Sequence, residues 1–547
     1  MRHTLTRSAI GNAATLLALG GLALWLLELQ SAPWPSVTPL PGPRIGAGVA
    51  ALLYLAFCGV MLWRRTADHV GSSPAQSTAS RLRIAYASQT GFALELAQRT
   101  AAALADTDAD AEVRNLDSID IADLQHGSWL FIVSTTGEGD PPDHVLAFAS
   151  RALATHTDLT RMRYGLLALG DSTYANFCAF GRDLDNWLQA QGAQRLFQRV
   201  EVDNADPAAL RQWQQQLATL TGHAVQSDGQ HRSCQPWTLC SYQPWTLSER
   251  MLLNAGSPGG LAYHLALQPP TPADLDWQAG DIAEIVPRHP PAEVERWLQQ
   301  SGLNGEAMVV LREANMPLRD AVSRSFLPAL EAIAGLSEHA VAALLQPLPH
   351  RDYSIASLPA DGQLQLLVRL MQHEDGSPGL GSGWLCHYAA VGGQIDLRIR
   401  RNPNFHAPPP SAPMILIGNG TGIAGLRAHL KARIAASADR NWLLFGERTR
   451  AHDNFYAPEL DGWLQDGHLA HLDRVFSRDE APQRYVQDAV RAQTDRLRQW
   501  LDAGAVIYVC GSLQGMAPAV DAVLADAIGQ PALDALRRDA RYRRDVY

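Results

Sequence analysis

The chain has 547 residues, 46% of them hydrophobic and 18% charged, with a formal net charge of −10 at pH 7. That length suffices for three or four domains, the composition excludes a chain dominated by disorder, and the negative balance argues against nucleic acid as a partner. Six cysteines (Cys58, Cys178, Cys234, Cys240, Cys386 and Cys510) form no C-x-x-C pair, which argues against a disulfide framework or a zinc site and for a reducing compartment.

In chain order, residues 9–29 are apolar, interrupted by Asn12 and closed by Glu28, and read as a first membrane span or a signal-peptide core, with the span preferred. Residues 45–63 carry no charge and would reach about 28 Å as a helix, enough for a second span. Arg2, Arg7, Arg64 and Arg65 flank the pair, and the loop between offers only Arg44, so the positive-inside rule puts both termini in the cytoplasm. The expectation is a multi-pass protein of the inner (cytoplasmic) membrane, its later domains cytoplasmic and held by a polar tether over 66–80.

From 82 to 222, short apolar strands alternate with helical stretches, the pattern of a doubly wound parallel sheet. Ligands of such sheets sit at the carboxyl ends of strands, and the hydroxyl and glycine clusters fall there. The first is Ser88, Gln89, Thr90, Gly91, Phe92 and Ala93. The second is Ser134, Thr135, Thr136 and Gly137. The third is Leu169, Gly170, Asp171, Ser172, Thr173, Tyr174, Ala175, Asn176, Phe177 and Cys178. This stretch holds 18 Asp+Glu against 10 Arg and no Lys, an acidic surface suited to a positively charged protein partner.

Residues 223–247 read as a linker containing Gln235–Leu239 and its copy Gln243–Leu247. A β-rich domain is expected over 248–407 with a helical insert at about 291–347, and a second α/β domain over 408–547. In the β-rich part, Arg351, Asp352, Tyr353 and Ser354 open a strand, and Gly379, Leu380, Gly381 and Ser382 form a small-residue loop. In the last domain, Gly420, Thr421 and Gly422 begin a G-x-G-x-x-G run after a strand, and Glu447 lies about 20 residues on, so a dinucleotide-binding reading with NAD stands beside others. Ser477 and Arg478, Tyr485 and Gln487, and Cys510 follow. The chain ends Asp545-Val546-Tyr547, an aromatic terminus suited to docking on something flat.

Taken in this order, these motifs resemble the NADPH-dependent diflavin reductases, in particular sulfite reductase flavoprotein subunits and cytochrome P450 reductases. The resemblance covers about 82–547. It implies a multidomain α/β fold: a flavodoxin-like FMN domain (82–222), an FAD-binding β-barrel with its helical insert, and a ferredoxin-reductase-type NADP domain. It implies that Tyr174 stacks on the FMN ring, that residues 134–137 line its other side, and that residues 88–93 hold the phosphate. By the same resemblance Arg351, Tyr353 and the 379–382 loop hold FAD. Ser477, Arg478, Tyr485 and Gln487 grip NADPH, with Arg484 a substitute for an expected lysine. Ser354, Cys510 and Asp545 serve hydride transfer, and Tyr547 covers the FAD ring until nicotinamide displaces it.

The expected function is a membrane-anchored reductase moving electrons from NADPH through FAD and FMN to a one-electron acceptor protein, a haemoprotein. The alternatives are the flavoprotein component of a sulfite reductase with a soluble partner, a ferric-chelate reductase, or a non-catalytic membrane redox sensor. No metal ligands are expected.

Overall fold

The structure, a computed structural model, describes residues 82–547 apart from 106–110, 138, 155, 173, 222–241 and 312–313. Both apolar segments, the tether, Thr173 and the first copy of the duplicated pentapeptide therefore lie outside the described residues. The expected membrane location is corrected: no helix among the described residues is long and apolar enough to cross a membrane.

Three sheets follow one another along the compact unit Ala79–Tyr547. The first is parallel, with β1 (Leu82–Ala87), β2 (Ala111–Asn115), β3 (Gly127–Ser134), β4 (Met162–Gly170) and β5 (Gln194–Arg195) in the order 2-1-3-4-5, and β6 (Val200–Asp203) paired to the far end of β4. The central strands are near-continuous apolar runs because both faces are buried. Ile84, Leu130, Ile132 and Leu167 pack under helices Phe92–Ala105 and Pro207–Leu220 through Leu96 and Trp213. On the other face Phe131 and Val133 meet Phe148 and Trp187 of helices Leu146–Ala154 and Ala179–Ala190. Strand order reverses between β1 and β3, and a crevice opens beyond their carboxyl ends, as such sheets dictate.

The second sheet is antiparallel. Its strands are β7 (Gln243–Leu252), β8 (Ala262–Gln268), β9 (Ile282–Ile285), β12 (Arg351–Ser354), β13 (Leu364–Arg369) and β14 (Gln394–Arg400), in the order 12-9-14-7-8-13. Its two end strands meet through the Ala356 amide, which donates to the Gln365 carbonyl at 2.8 Å. β7 starts inside the stretch expected to be linker: the second pentapeptide copy is its first half, and Trp245 is buried beside Trp277. The insert is not wholly helical. Helices Pro291–Ser301, Leu318–Ser323 and Glu338–Leu344 share a small core with a hairpin, β10 (Met308–Leu311) and β11 (Ala314–Pro317), built on Trp297, Val309, Leu318 and Val341.

The third sheet is parallel, with β15 (Met414–Asn419), β16 (Asn441–Glu447), β17 (His471–Phe476), β18 (Val506–Gly511) and β19 (Tyr542–Val546) in the order 17-16-15-18-19. It shares a buried cluster with the second sheet: Ala262, Ala356, Leu367 and Phe405 pack with Leu426, Leu430, Phe445 and Tyr508. Among the described residues, no buried apolar cluster joins the first sheet to the other two.

His429 sits inside that shared cluster, fully buried between the rings of Phe405 and Tyr508. Burial, helped by the nearby charges of His406 and Arg543, pushes its pKa down to about 3. The unfolded chain takes up this proton below about pH 6.5 and the folded one does not. The stability the neutral ring secures is therefore whole above pH 6.5 and is lost at up to about 1.4 kcal/mol per pH unit on the way down to its folded pKa. His429→Phe is expected to flatten the fall in denaturation midpoint between pH 7 and pH 5. An unchanged slope would show that other groups set acid stability.

Candidate functional site

Three loops close the first crevice because each is tied to its neighbour. The Ser134 hydroxyl donates to the Ala87 carbonyl at 3.1 Å and accepts from the Gln89 amide at 3.3 Å. The Thr135 amide donates to the Leu169 carbonyl at 2.9 Å, and Ser172 is held by Asp203 through its amide at 2.9 Å and its hydroxyl at 2.5 Å. Ser88 caps the following helix, its hydroxyl accepting from the Ala93 amide at 3.1 Å. The resulting cavity, about 240 Å³, is lined by Gln89, Thr90 and Phe92, by Ser134 to Gly137, and by Leu169, Gly170, Asp171, Tyr174, Asn176, Phe177 and Cys178.

The buried hydroxyls of Thr135 and Thr136 have no partner among the described residues, and Tyr174 is 40% exposed. Unpaired donors and an uncovered aromatic ring fit a flat polar group such as a flavin. Ser88, Ala93 and Ser172 tie the loops together rather than line the cavity, and Ala175 does not line it either. Cys178, buried with its thiol pushed up to about 12 by burial, donates to the Ala168 carbonyl at 3.4 Å, a structural thiol rather than a reactive one. The sequence reading missed His350, Arg400 and Val546, which line the same cavity from the second and third sheets.

Strand β12 explains why the four-residue motif divides. Successive side chains of a strand face opposite ways. Arg351 and Tyr353 turn toward the 379–382 loop, where a Cβ on Gly381 would meet Arg351 Cγ at 2.6 Å and the Tyr353 hydroxyl at 2.8 Å. Only glycine allows that approach. Ser382 fixes the loop by accepting from the Met371 amide at 3.0 Å. This leaves Gly379, Leu380, Gly381 and Ser382 against the arginine and tyrosine expected to hold FAD. Asp352, on the opposite side, pairs with Arg400 and lines the first cavity, so it does not join them.

Ser354 lies on that same side and donates to Asp545 Oδ2 at 2.6 Å. Cys510 on β18 is the register partner of Asp545 on β19, and its thiol donates to the same oxygen at 3.7 Å. Cys510 is fully buried and Asp545 nearly so. Burial, opposed by the Ser354 hydrogen bond, raises the Asp545 carboxyl above the usual carboxylate range, and burial together with the Asp545 charge pushes the Cys510 thiol well up. The structure thus brings together three of the residues expected at the hydride-transfer site. Gly425 packs beside them, its Cβ direction 3.5 Å from both Cys510 Sγ and Ser354 Cβ.

Tyr547 is pinned by its main chain: its amide donates to Gly511 at 3.0 Å and its carbonyl accepts from Leu513 at 3.0 Å. Its ring is 54% exposed, with the hydroxyl donating to Thr421 Oγ1 at 3.2 Å. The ring borders a cavity of about 680 Å³ lined by Gly420, Thr421, Ser477, Arg484, Tyr485 and Gln487 as expected, and by Arg369 and Arg448, which were not foreseen. Gly422 is a packing position, because a Cβ there would strike the Cys510 carbonyl at 2.1 Å. Arg478 is exposed and does not line the cavity, whereas Arg484 does. Glu447, the acidic residue of the NAD-type reading, is paired with Arg369 and accepts from the Arg448 amide at 2.7 Å.

Comparison with known proteins finds one family match over the first sheet and another over the third. The family description "Flavodoxin" matches residues 84–213 and "Oxidoreductase NAD-binding domain" matches 416–522. A sulfite reductase [NADPH] flavoprotein alpha-component from Vibrio cholerae is 30% identical over 551 residues, covering 88% of this chain and 90% of the relative. That of Yersinia enterocolitica is 30% identical over 552 residues, covering 87% and 92%. That of Neisseria meningitidis serogroup C is 30% identical over 547 residues, covering 84% and 88%. With a flavodoxin half, a dinucleotide half and relatives matched along most of their length, the chain belongs to the sulfite reductase flavoprotein alpha-component family, NADPH-dependent diflavin oxidoreductases whose cofactors are FMN, FAD and NADPH.

Proposed function

We propose that the chain is the flavoprotein component of an NADPH-dependent sulfite reductase, feeding single electrons to a haemoprotein partner. The observation that carries this reading is the shared wall. The crevice of the flavodoxin-like sheet is completed by His350, Asp352, Arg400 and Val546, and β12 presents Arg351 and Tyr353 to the FAD loop from its other side. The bound flavins would supply the conversion of a two-electron hydride into single electrons. The chain's own residues bind and orient: Gln89 and Thr90 at the FMN phosphate, Tyr174 against its ring, Arg351 and the 379–382 loop at FAD, Ser477 and Arg484 at the nucleotide. Asp545 orders Ser354 and Cys510, and Tyr547 covers the site where nicotinamide enters. The relatives' name supports sulfite reductase over a ferric-chelate reductase.

The test is reconstitution with a sulfite reductase haemoprotein subunit. NADPH-dependent formation of sulfide from sulfite, absent with either component alone, is the expected result. Reduction of cytochrome c without sulfide would leave a diflavin reductase with another acceptor.

A further inference from the structure

The second and third sheets share a buried apolar cluster, but the flavodoxin-like sheet is joined to them by none among the described residues. Its docking is instead polar. The Asn404 amide donates to the Ser88 carbonyl at 2.5 Å, Arg400 Nε to the Thr90 carbonyl at 3.0 Å, and Arg398 Nη1 to Glu95 at 3.0 Å. Arg398 commits its other two nitrogens to Glu284 at 2.7 Å each, so Glu95 receives one arm of a guanidinium already engaged.

Arg544 differs from these contacts. It grips Asp143 with two nitrogens, Nε to Oδ2 at 2.7 Å and Nη2 to Oδ1, and braces its third against Asp521 at 2.8 Å. Such a fork fixes orientation as well as position. The same strand is also tied to the first crevice. Gln89, in the loop expected to hold the FMN phosphate, donates to the Arg544 carbonyl at 3.1 Å and to Asp143 Oδ2 at 3.0 Å, and it accepts from the Asp143 amide at 3.0 Å. Just after Arg544, β19 carries Asp545 at the expected hydride site and Val546 at the first cavity, and Tyr547 follows at the nucleotide cavity.

We propose that Arg544, acting through Asp143, is the positioning residue that docks the flavodoxin-like half for transfer between the flavins. The step it serves moves one electron: the FAD side is oxidised by one as the FMN side is reduced by one, and no bond between heavy atoms is made or broken. Arg544 takes no part in it beyond holding the two sites together. This rests on the two-flavin assignment and not on the identity of the final acceptor.

The experiment is a double-mutant cycle on the full chain carrying both flavins, in buffer saturated with FMN, with Arg544→Ala, Asp143→Ala and the double variant. Two quantities are read: the rate of electron transfer from FAD to FMN after one NADPH equivalent, and the radius of gyration in solution by small-angle scattering. Each single variant is expected to slow interflavin transfer about tenfold or more and to expand the particle. The double is expected to be no worse than either single, because one interaction is removed in all three. FAD reduction by NADPH should stay within about twofold in Asp143→Ala. Multiplying effects in the double would assign Arg544 to Asp521 or the hydride site instead. Unchanged transfer and size in both singles would show that Arg398, Arg400 and Asn404 suffice, and either result overturns the proposal.

Discussion

Asp545→Asn is expected to slow reduction of FAD by NADPH by about 10²-fold, the low end of what a positioned acid–base group contributes, while both flavins stay bound. The carboxylate contacts both Ser354 and Cys510, at 2.6 and 3.7 Å. Asparagine keeps the shape and one acceptor but loses the charge and the proton. Burial leads the causes that raise the Asp545 carboxyl above its ordinary range, and the nearby Asp352 charge adds to it. The unfolded chain therefore gives up this proton at lower pH than the folded one, so ionised Asp545 costs stability as pH rises through the unfolded and then the folded value. Asp545→Asn removes that cost. The variant is expected to melt no lower than the parent at pH 7 and to lose the titration that Asp545 gives the pH profile of FAD reduction. Stopped-flow absorbance between pH 5 and pH 8, with thermal melts on the same samples, measures both. A slow variant that also melts early would assign Asp545 to folding rather than to hydride transfer.

Much of this site is legible in the chain because its signals are local. Strands β1, β3, β4, β15 and β18 are largely apolar runs that lead into glycine, hydroxyl, amide or cysteine residues, and a parallel sheet turns such ends into a crevice. The structure brings Ser354, Cys510 and Asp545 together, although 191 residues separate the first from the last. What escapes is direction and distance. The motif at 351–354 reads as one unit, yet the alternation of β12 sends Arg351 and Tyr353 to the 379–382 loop and Asp352 to the first cavity. Arg398 and Arg400 read as polar positions of an ordinary strand. Their partners Glu95 and Thr90 lie 303 and 310 residues away, with no pattern linking them. The insert's hairpin is hidden for another reason: four-residue strands such as Met308–Leu311 are too short for their alternation to stand out from helix.

Nucleotide choice rests on the basic groups of the large cavity. Ser477, Arg484, Tyr485 and Gln487 line the large cavity and Arg448 joins them, while the exposed Arg478 follows Ser477 outside that lining. Arg484→Ala is therefore expected to weaken NADPH by roughly tenfold to a hundredfold, the loss of a charge-assisted contact of about 1.5–3 kcal/mol, while barely changing NADH. Arg478→Ala should have a smaller effect. Tyr547→Ala acts at the other end of the nucleotide. The ring is held beside the cavity by the Thr421 hydroxyl and by its main-chain bonds to Gly511 and Leu513, and on the proposed reading a nicotinamide displaces it to reach Cys510. Removing the ring lowers that cost equally for both nucleotides, since neither contact involves the 2′-phosphate. Both nucleotides are therefore expected to gain by the same factor, which leaves their ratio unchanged. Steady-state kinetics with both nucleotides, together with binding of NADP⁺ and NAD⁺ to the oxidised protein by calorimetry, separate the two ends. Equal losses for NADPH and NADH in Arg484→Ala would move the 2′-phosphate site back to Arg478 or to Arg448, and unchanged affinities for both nucleotides in Tyr547→Ala would mean that the terminal ring does not compete with nicotinamide.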